Sequence, residues 1–411
     1  MREMKDSGVE WIGKIPADWD VFKGKYVLKY LQKPVKQEDD VITCFRDGEV
    51  TLRKNRREDG FTMSDKEIGY QGVDVGDLVI HGMDGFAGAI GISDSRGKAS
   101  PVLNVLDSSM VKKFLMYYLR SMAYGNVFTA IATGIRVRSC DLRWNKLANL
   151  PYPLPPFEEQ RQIADFLDQK CSEIDALTAD IQTQIETLEE YKKSVITEAV
   201  TKGLDPNVEM KDSEVEWIGK IPLNWNISKI DQLYTPRNTK VSDIDYQPLS
   251  VTMQGIVPQL ESAAKTNAHD SRKLVMKGDF AINSRSDRRG SCGISEYTGS
   301  VSLINTVLKP KEDMNARYYN WLFHASMFSD EFYRWGHGIV DDLWSTGWQE
   351  MKKISIPSPS LQEQHKIADF LDQKCSEIDQ TISEKQQQLE TLSEYKKSLI
   401  YEYVTGKKEV S

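Results

Sequence analysis

The sequence predicts an α+β protein with a pseudo-twofold internal repeat, in which two mixed α/β domains are separated by two long helices that form an intramolecular antiparallel coiled coil. Three observations predict this class: two sequence blocks occur twice, two long stretches carry an apolar heptad repeat, and the segments between them contain short apolar runs bounded by glycine. A chain of 411 residues also exceeds what one hydrophobic core usually supports. The predicted domains are 1–155, 156–203, 204–358 and 359–411.

The internal duplication is visible in two blocks. Residues 4–16 (MKDSGVEWIGKIP), called the repeat segment here, recur at 210–222 with one difference. Residues 163–175 (IADFLDQKCSEID) recur unchanged at 367–379. Between these blocks the two halves barely resemble each other. A repeated frame with unlike contents suits a protein that presents similar surfaces to a symmetric partner but reads two different targets.

The contents of the frame are two inserts, a first insert of about residues 25–150 and a second insert of about residues 230–355. Both are predicted to be mixed α/β globules. The runs Asp77–Ile80 and Asp279–Asn283 each follow a glycine and are typical of strands. Each insert also contains a predicted helix whose aromatic and long apolar residues favour a core rather than a base-stacking surface: Lys112–Met122 and Arg317–Met327.

A long helix is predicted after each insert. Glu158 and Glu159 follow the prolines of the first copy, and a capping-box pattern, Ser360-x-x-Glu363, opens the second. The C-terminal stops are glycines: Gly203 and Gly406. Each helix therefore spans roughly 45 residues, which is about 65 Å at ~1.5 Å per residue.

The apolar stripe of these helices, called the seam here, predicts a coiled coil. Its positions are Leu167, Ile174, Ile181, Leu188 and Val195 in the first helix and Leu371, Ile378, Leu392 and Leu399 in the second. Lys385 occupies a heptad position where an apolar group is expected, so the second copy is imperfect. Because a long isolated helix is poorly stabilised, the two helices are expected to pair with each other. The alternative is pairing with a second copy of the chain.

Charge and cysteine usage bound the location and the partners. The net charge of −8 argues against a DNA partner. However, residues 157–203 and 361–411 together hold 21 acidic and 12 basic residues. The remaining residues are therefore nearly neutral in sum, and they can present local basic faces to DNA.

The cysteines and the terminal sequence bear on the location of the protein. Five scattered cysteines without a C-x-x-C pair are typical of free thiols in a reducing compartment. The charged N-terminus and the lack of a long apolar run make export and membrane insertion unexpected. The expected location is the cytoplasm.

Basic clusters in the inserts supply candidate DNA contacts. Arginine reads guanine edges through two hydrogen bonds and also grips phosphate. Such clusters are often only solvated surface. The hypothesis that these clusters bind DNA therefore depends on the repeated architecture as well as on the arginines. The candidate DNA-binding residues are Arg53, Lys54, Arg56, Arg57, Arg136, Arg138, Arg285, Arg288 and Arg289.

No catalytic, cofactor-binding or metal-binding residues are predicted in this chain. The stretch Leu154–Phe157 has leucine where adenine methyltransferases need an amide or carboxylate before two prolines. The glycines of Gly82–Gly91 do not have dinucleotide-loop spacing, and the sequence contains no phosphate-binding P-loop. The histidines are scattered without metal-ligand spacing. Acid pairs such as Asp39-Asp40 and Asp341-Asp342 lack the lysine-containing pattern of nucleases.

The order of these blocks resembles the specificity subunits of type I restriction-modification systems. The resemblance covers essentially the whole chain and rests on the repeat segments, the Leu154–Gln160 entry into I-A-x-F-L-D, and the endings E-Y-K-x-S-(L/V)-I-x-E-x-V-T. The second copy departs at Pro357–Gln364, which loses the double proline but keeps Glu-Gln.

The resemblance implies a non-catalytic, DNA-reading subunit in which each insert is a target-recognition domain for one half of a bipartite site. The paired helices would act as a spacer and dock two methylation subunits, with restriction and translocase subunits as further partners. S-adenosylmethionine, ATP and magnesium would belong to those partners. The site should be asymmetric, because Arg136 and Arg138 align with Val340 and Asp342. Two alternatives remain: an orphan or decoy specificity subunit, and a coiled-coil scaffold without DNA function.

Overall fold

The computed structural model describes residues 2–56, 67–131, 142–259, 271–338 and 344–410. The chain divides into two compact units. Unit 1 comprises Met1–Ile181 with Gln387–Ser411, and unit 2 comprises Gln182–Gln386. Each unit holds one repeat segment, one insert and parts of both long helices.

In unit 1 the repeat segment forms a small hairpin, and the insert forms antiparallel sheets with helices packed against them. The strands are β1 (Met4–Asp6), β2 (Lys14–Pro16), β3 (Asp20–Lys23), β4 (Lys29–Tyr30), β5 (Ile42–Cys44), β6 (Val50–Leu52), β7 (Gln71–Val73), β8 (Leu78–His81), β9 (Ile90–Ile92), β10 (Gly97–Ala99), β11 (Leu103–Asp107) and β12 (Pro151–Leu154). The helices are α1 (Gly24–Val27), α2 (Lys112–Tyr124), α3 (Val127–Ala130), α4 (Trp144–Leu147) and α5 (Phe157–Lys202).

The main sheet of unit 1 has the order β4-β11-β8-β9, and the β5–β6 hairpin and the β7–β10 pair are separate ladders. Both faces of β8 are buried. Leu78 and Ile80 belong to the core that includes α2, whereas Val79 packs into a second cluster with Ile42 and Val50 of the hairpin. This burial on both faces explains why the predicted strand reads as a continuous apolar run. Strand β12 pairs with β3 and so closes the insert directly before α5.

Unit 2 repeats this plan. The strands are β13 (Met210–Asp212), β14 (Lys220–Pro222), β15 (Asn226–Lys229), β16 (Tyr234–Pro236), β17 (Lys240–Val241), β18 (Leu249–Thr252), β19 (Gly255–Pro258), β20 (Arg272–Val275), β21 (Phe280–Asn283), β22 (Cys292–Ile294), β23 (Gly299–Ser302), β24 (Asn305–Pro310) and β25 (Ser355–Ser358). The helices are α6 (Ile230–Leu233), α7 (Ala316–His324), α8 (Ser326–Arg334), α9 (Trp348–Met351) and α10 (Leu361–Val404). The sheet order β16-β24-β21-β22 matches that of unit 1, and β15 pairs with β25.

The strand and helix predictions for the inserts are confirmed with one correction. Strand β21 lies in its predicted run, β8 overlaps its predicted run and extends one residue further to His81, and α2 covers the predicted helix Lys112–Met122. The predicted helix Arg317–Met327 is wrong as a single element, because Ala325 adopts an extended backbone (φ −64°, ψ 136°) between α7 and α8. The side chain of Asn315 caps α7 by accepting hydrogen bonds from two backbone N–H groups. Aromatic residues of these helices are buried in the core.

The long helices have 46 and 44 residues and are each followed by a left-handed glycine, Gly203 (φ +77°) directly after α5 and Gly406 (φ +66°) two residues after α10. In unit 1 the last part of α10 runs antiparallel to the first part of α5, since Lys396 pairs with Asp175 at 2.6 Å and Tyr403 lies 4.5 Å, between ring centroids, from Phe166. The last part of α5 and the first part of α10 are likewise antiparallel in unit 2. There Lys192 pairs with Asp379 at 2.6 Å and Lys385 donates to Gln184.

Burial varies along the seam. The fully buried seam positions are Leu167, Ile174, Ile181, Leu371, Ile378 and Leu399. The half-buried ones are Leu188, Val195 and Leu392. In the last part of α5, the buried apolar residues outside the seam are Ile185, Ile196, Ala199 and Val200. A straight α-helix turns by about 20° per heptad relative to a strict seven-residue repeat, so the buried stripe moves to neighbouring positions.

Within the described part of the chain, no helix combines the length and the apolar character that a membrane span requires.

Candidate nucleic-acid interface

The first insert contains a cleft of about 980 Å³ between the β5–β6 hairpin and the loop that follows β8. Its lining mixes charged, aromatic and apolar side chains. Arg46, Arg53 and Arg56 contribute positive charge, while His81 ends β8 and Asp84 lies in the loop after it. Two of the candidate DNA-binding residues therefore line one cleft.

The cluster that follows β6 begins with a 3-10 helix, Arg53–Asn55. The Nε of Arg53 donates to Thr43 Oγ1 at 3.3 Å, so Arg53 lies along the hairpin. Lys54 forms an exposed ion pair with Asp40 at 2.5 Å. Arg57, the last member of the predicted cluster, lies outside the described residues.

Arg56 is the most constrained member of this cluster. Its Nη1 lies 2.6 Å from Asp47 and 3.1 Å from Glu49, and its guanidinium lies 4.2 Å from the ring centroid of Phe45. All three partners belong to the turn of the hairpin. Arg56 is therefore held over the turn, with its charge already matched by carboxylates.

Arg46 was not predicted as a candidate, although it stands at the same turn. It forms an ion pair with Asp84 at 2.8 Å, and its side chain is 67% exposed. The Asp47-Gly48 dipeptide between two short apolar runs is a hairpin signal, so the sequence contained a means of placing Arg46 at a turn.

The hairpin turn is anchored from below by α2 and by glycine. Arg120 of α2 donates from Nη2 to the carbonyl oxygen of Gly48 at 2.9 Å and from Nε to that of Ile90 at 2.8 Å. A Cβ atom at Gly91 would lie 1.9 Å from the Gly48 oxygen. The turn therefore packs on a strand position that only glycine can occupy, and its Gly48 carbonyl accepts from a charged donor.

In the second insert the candidate arginines occupy the loop after β21, residues 284–290, called the arginine loop here. It contains a 3-10 helix, Ser286–Arg288. The loop is fixed at its base, because the backbone N–H of Thr346 donates to the carbonyl oxygen of Ser284 at 2.9 Å and Arg285 forms a β-bridge with Ser345. The arginine loop follows the same strand of the sheet as the His81–Asp84 loop of the first insert.

The arginines of this loop are exposed and only partly matched by acids. Arg288 is 67% exposed, with Asp287 at 3.6 Å. Arg289 pairs with Asp330 at 3.1 Å and lies 5.1 Å from the ring centroid of Tyr333. Three arginines on one exposed loop give this insert a local positive face.

The predicted candidates thus fall into two groups, one in each unit: Arg53, Lys54 and Arg56 in unit 1, and Arg285, Arg288 and Arg289 in unit 2. Arg136 and Arg138 lie outside the described residues.

In the described ranges no three histidine, cysteine or acidic side chains are grouped so that they could hold a metal ion. Cys44, Cys171, Cys292 and Cys375 are free and buried. Burial raises the pKa of Cys44 to about 12 and that of Cys375 to about 11, so these thiols stay protonated at neutral pH.

Known proteins share sequence features with most of this chain. The family model for the type I restriction modification DNA specificity domain matches residues 76–187 and 222–391, more than half of the chain. The chain is 25% identical to a putative type I restriction enzyme MjaX specificity subunit of Methanocaldococcus jannaschii, over 96% of this chain and 95% of that protein. It is 24% identical to the type I restriction enzyme MjaVIII specificity subunit of the same organism, over 96% and 94%.

Solved structures share the fold. One is a chain from work on complex assembly and conformational transition of the type I R-M system, with a TM-score of 0.70 at 13% identity, covering 95% of this chain and 99% of that one. Another is the HsdS subunit from Thermoanaerobacter tengcongensis, with a TM-score of 0.54 at 15% identity, covering 95% and 98%. The chain belongs to the specificity subunits of type I restriction-modification systems, which recognise DNA and are not themselves catalytic.

Proposed function

We propose that this subunit reads an asymmetric bipartite DNA site, with one insert acting as the target-recognition domain for each half-site. The observation that carries the proposal is that the two inserts share a sheet order but present arginines on different loops. The proposed domains are 1–155 and 204–358, each a repeat segment with its recognition domain, and 156–203 and 359–411, the two long helices. The proposed place of action is the cytoplasm.

Equivalent loop positions of the two inserts carry different side chains. The loops after β8 and β21 both run from a buried strand to a glycine, at Gly88 and Gly290. At the position of Arg285 the first insert has Met83. A guanidinium and a thioether offer different contacts to base edges, because one donates hydrogen bonds and the other makes apolar contacts. The two half-sites are therefore expected to differ.

The two long helices are proposed to dock two methylation subunits, with restriction and translocase subunits joining them. Support comes from the repetition of surface features at the same spacing: the Lys396–Asp175 pair of unit 1 corresponds to the Lys192–Asp379 pair of unit 2. Two similar surfaces suit two copies of one partner. S-adenosylmethionine, ATP and magnesium would be bound by those partners.

Co-expression with a cognate methylation subunit in a methylation-free host tests the proposal. Modified adenines are then mapped by sequencing the genomic DNA. The expected result is a split motif of two short, unlike half-sites with a fixed gap. A soluble, intact complex that leaves every adenine unmodified would contradict the proposal and favour an orphan subunit or a scaffold without DNA function.

A variant of the second insert supplies the control. Replacing Arg285, Arg288 and Arg289 by alanine should weaken methylation or relax the motif in one half-site only, because these side chains lie on one loop. Equal relaxation in both half-sites would contradict the assignment of one insert to each half.

A further inference from the structure

The pair formed by Arg46 and Asp84 at the edge of the cleft in the first insert is not accounted for by stability. Its side chains are 67% and 34% exposed, and an exposed ion pair contributes only about 0–1 kcal/mol. A single hydrogen bond, from Nη2 to Asp84 Oδ1 at 2.8 Å, joins the pair. Among the described residues no other acceptor engages the guanidinium of Arg46. Because Nη2 has two hydrogens and gives one to Asp84, a two-donor edge formed by Nη2 and a neighbouring nitrogen stays open.

Both members of the pair are held in place from the backbone. Arg46 lies in the turn whose Gly48 carbonyl accepts from Arg120. On the other side, the backbone N–H of Asp84 donates to Nδ1 of His81 at 2.9 Å. Burial lowers the pKa of His81, which keeps this ring neutral at pH 7 and its Nδ1 free to accept. The donor and the acceptor are therefore fixed beside each other before any ligand binds.

The carboxylate distinguishes between the two uses that arginine has on DNA. A phosphate placed against Arg46 would be repelled by Asp84 at hydrogen-bond distance. A base pair would not be repelled in this way. Guanine offers the acceptors N7 and O6 to arginine, and its partner cytosine offers the N4 amino donor to a carboxylate. The major groove also admits a two-stranded β-ribbon such as the β5–β6 hairpin.

We propose that Arg46 and Asp84 together read a G·C base pair in the half-site of the first insert, Arg46 contacting guanine and Asp84 accepting from cytosine. The inference rests on the proposed function and names one element of its target. In the second insert the equivalent turn is Met253-Gln254 and Ser286 stands at the position of Asp84, so this reading pair belongs to the first insert alone.

The test repeats the methylation mapping with Arg46→Ala, Arg46→Lys and Asp84→Ala in the complete complex. Arg46→Ala should lower the preference for G·C at one position of one half-site by about tenfold or more. Arg46→Lys should lose the same preference, because lysine keeps the charge but cannot donate in a fork. Asp84→Ala should relax the same position by a smaller factor. Lys277→Ala, which removes an exposed ion pair with Glu296 in the second insert, is the matched control and should leave the motif unchanged.

The outcomes separate the two proposals. A bipartite wild-type motif that keeps its G·C preference at every position in Arg46→Ala would overturn the inference and leave the proposed function standing. Uniformly weaker methylation in Arg46→Ala, restored in Arg46→Lys, would identify a phosphate contact and also overturn it. A wild-type complex without a bipartite motif would overturn both.

Discussion

The two inserts have the same sheet order but differ in the hairpin that packs beside it. The β5–β6 hairpin of the first insert has a five-residue turn, Phe45–Glu49, whereas β18–β19 of the second is joined by Met253-Gln254. The longer turn carries three charged side chains in ion pairs: Arg46 pairs with Asp84, and Asp47 and Glu49 pair with Arg56. In the second insert the exposed arginines lie instead on the arginine loop.

The supports beneath the hairpins differ in the same way. Arg120 of α2 anchors the turn of the first insert, and the position one repeat later is His324 of α7. His324 lies with Nδ1 2.7 Å from the carbonyl oxygen of Asn320 in its own helix and with Nε2 3.6 Å from Sγ of Cys292 in β22. Neither contact reaches the turn Met253-Gln254. A longer turn needs an added anchor from the core, whereas a two-residue turn is fixed by its own strands. The two inserts therefore differ both in the charge of the hairpin turn and in the contact that anchors it, while their sheet order is the same.

The largest expected effect is that of Gly91→Ala. The new Cβ would lie 1.9 Å from a backbone oxygen of the hairpin turn, so the hairpin must move and the first insert should lose about 3 kcal/mol of unfolding free energy. Urea unfolding gives the loss, and hydrogen exchange should rise in β5 and β6. Gly125→Ala, where φ is −80° and the nearest heavy atom is 3.3 Å away, is the control. Equal losses in both variants would contradict the account.

Arg120→Ala should cost about 2 kcal/mol of unfolding free energy, because it removes charged hydrogen bonds to the carbonyls of Gly48 and Ile90. His324→Ala in the second insert should not loosen its hairpin. Hydrogen exchange of the two hairpins measured in both variants checks this difference. Faster exchange in β18–β19 after His324→Ala would show that the two supports are alike.

The two units also differ at one seam position of the long helices. Ile181 of unit 1 is buried, whereas the position one repeat later, Lys385 of unit 2, donates to Gln184. Lys385→Ile should therefore raise the unfolding free energy by about 1 kcal/mol through added apolar burial. The midpoint of urea unfolding measures this gain, and a lower midpoint would show that the Gln184 contact outweighs it.

The smallest expected effect is that of Arg288→Ala on the salt dependence of DNA binding. Arg288 is an exposed candidate for DNA contact, and a phosphate contact from it would add to the salt dependence of DNA binding. Arg288→Ala should lower the slope of log Kd against log salt by about 1. Lys277→Ala should leave that slope unchanged. Titrations of the complete complex with cognate DNA at several salt concentrations provide the measurement, and an unchanged slope in Arg288→Ala would exclude the contact.

Much of the fold followed from local sequence. The helix bounds Phe157–Lys202 and Leu361–Val404 lie within the predicted ranges, because acids at one end and glycines at the other are local signals. The break at Ala325 was missed, since the apolar periodicity continues across it. Arg46 was missed because the Asp47-Gly48 signal marks a turn but assigns no role to the single arginine beside it.

The sequence by itself determined the duplication, the length and stops of the two long helices, and the strands next to Gly76 and Gly278, because each depends on residues close together in the chain. Only the tertiary structure decided which arginines are matched by acids. Arg46 meets Asp84, 38 positions away, and Arg120 reaches Gly48, 72 positions away. Such pairings arise when sheets and helices pack, and no local periodicity encodes them.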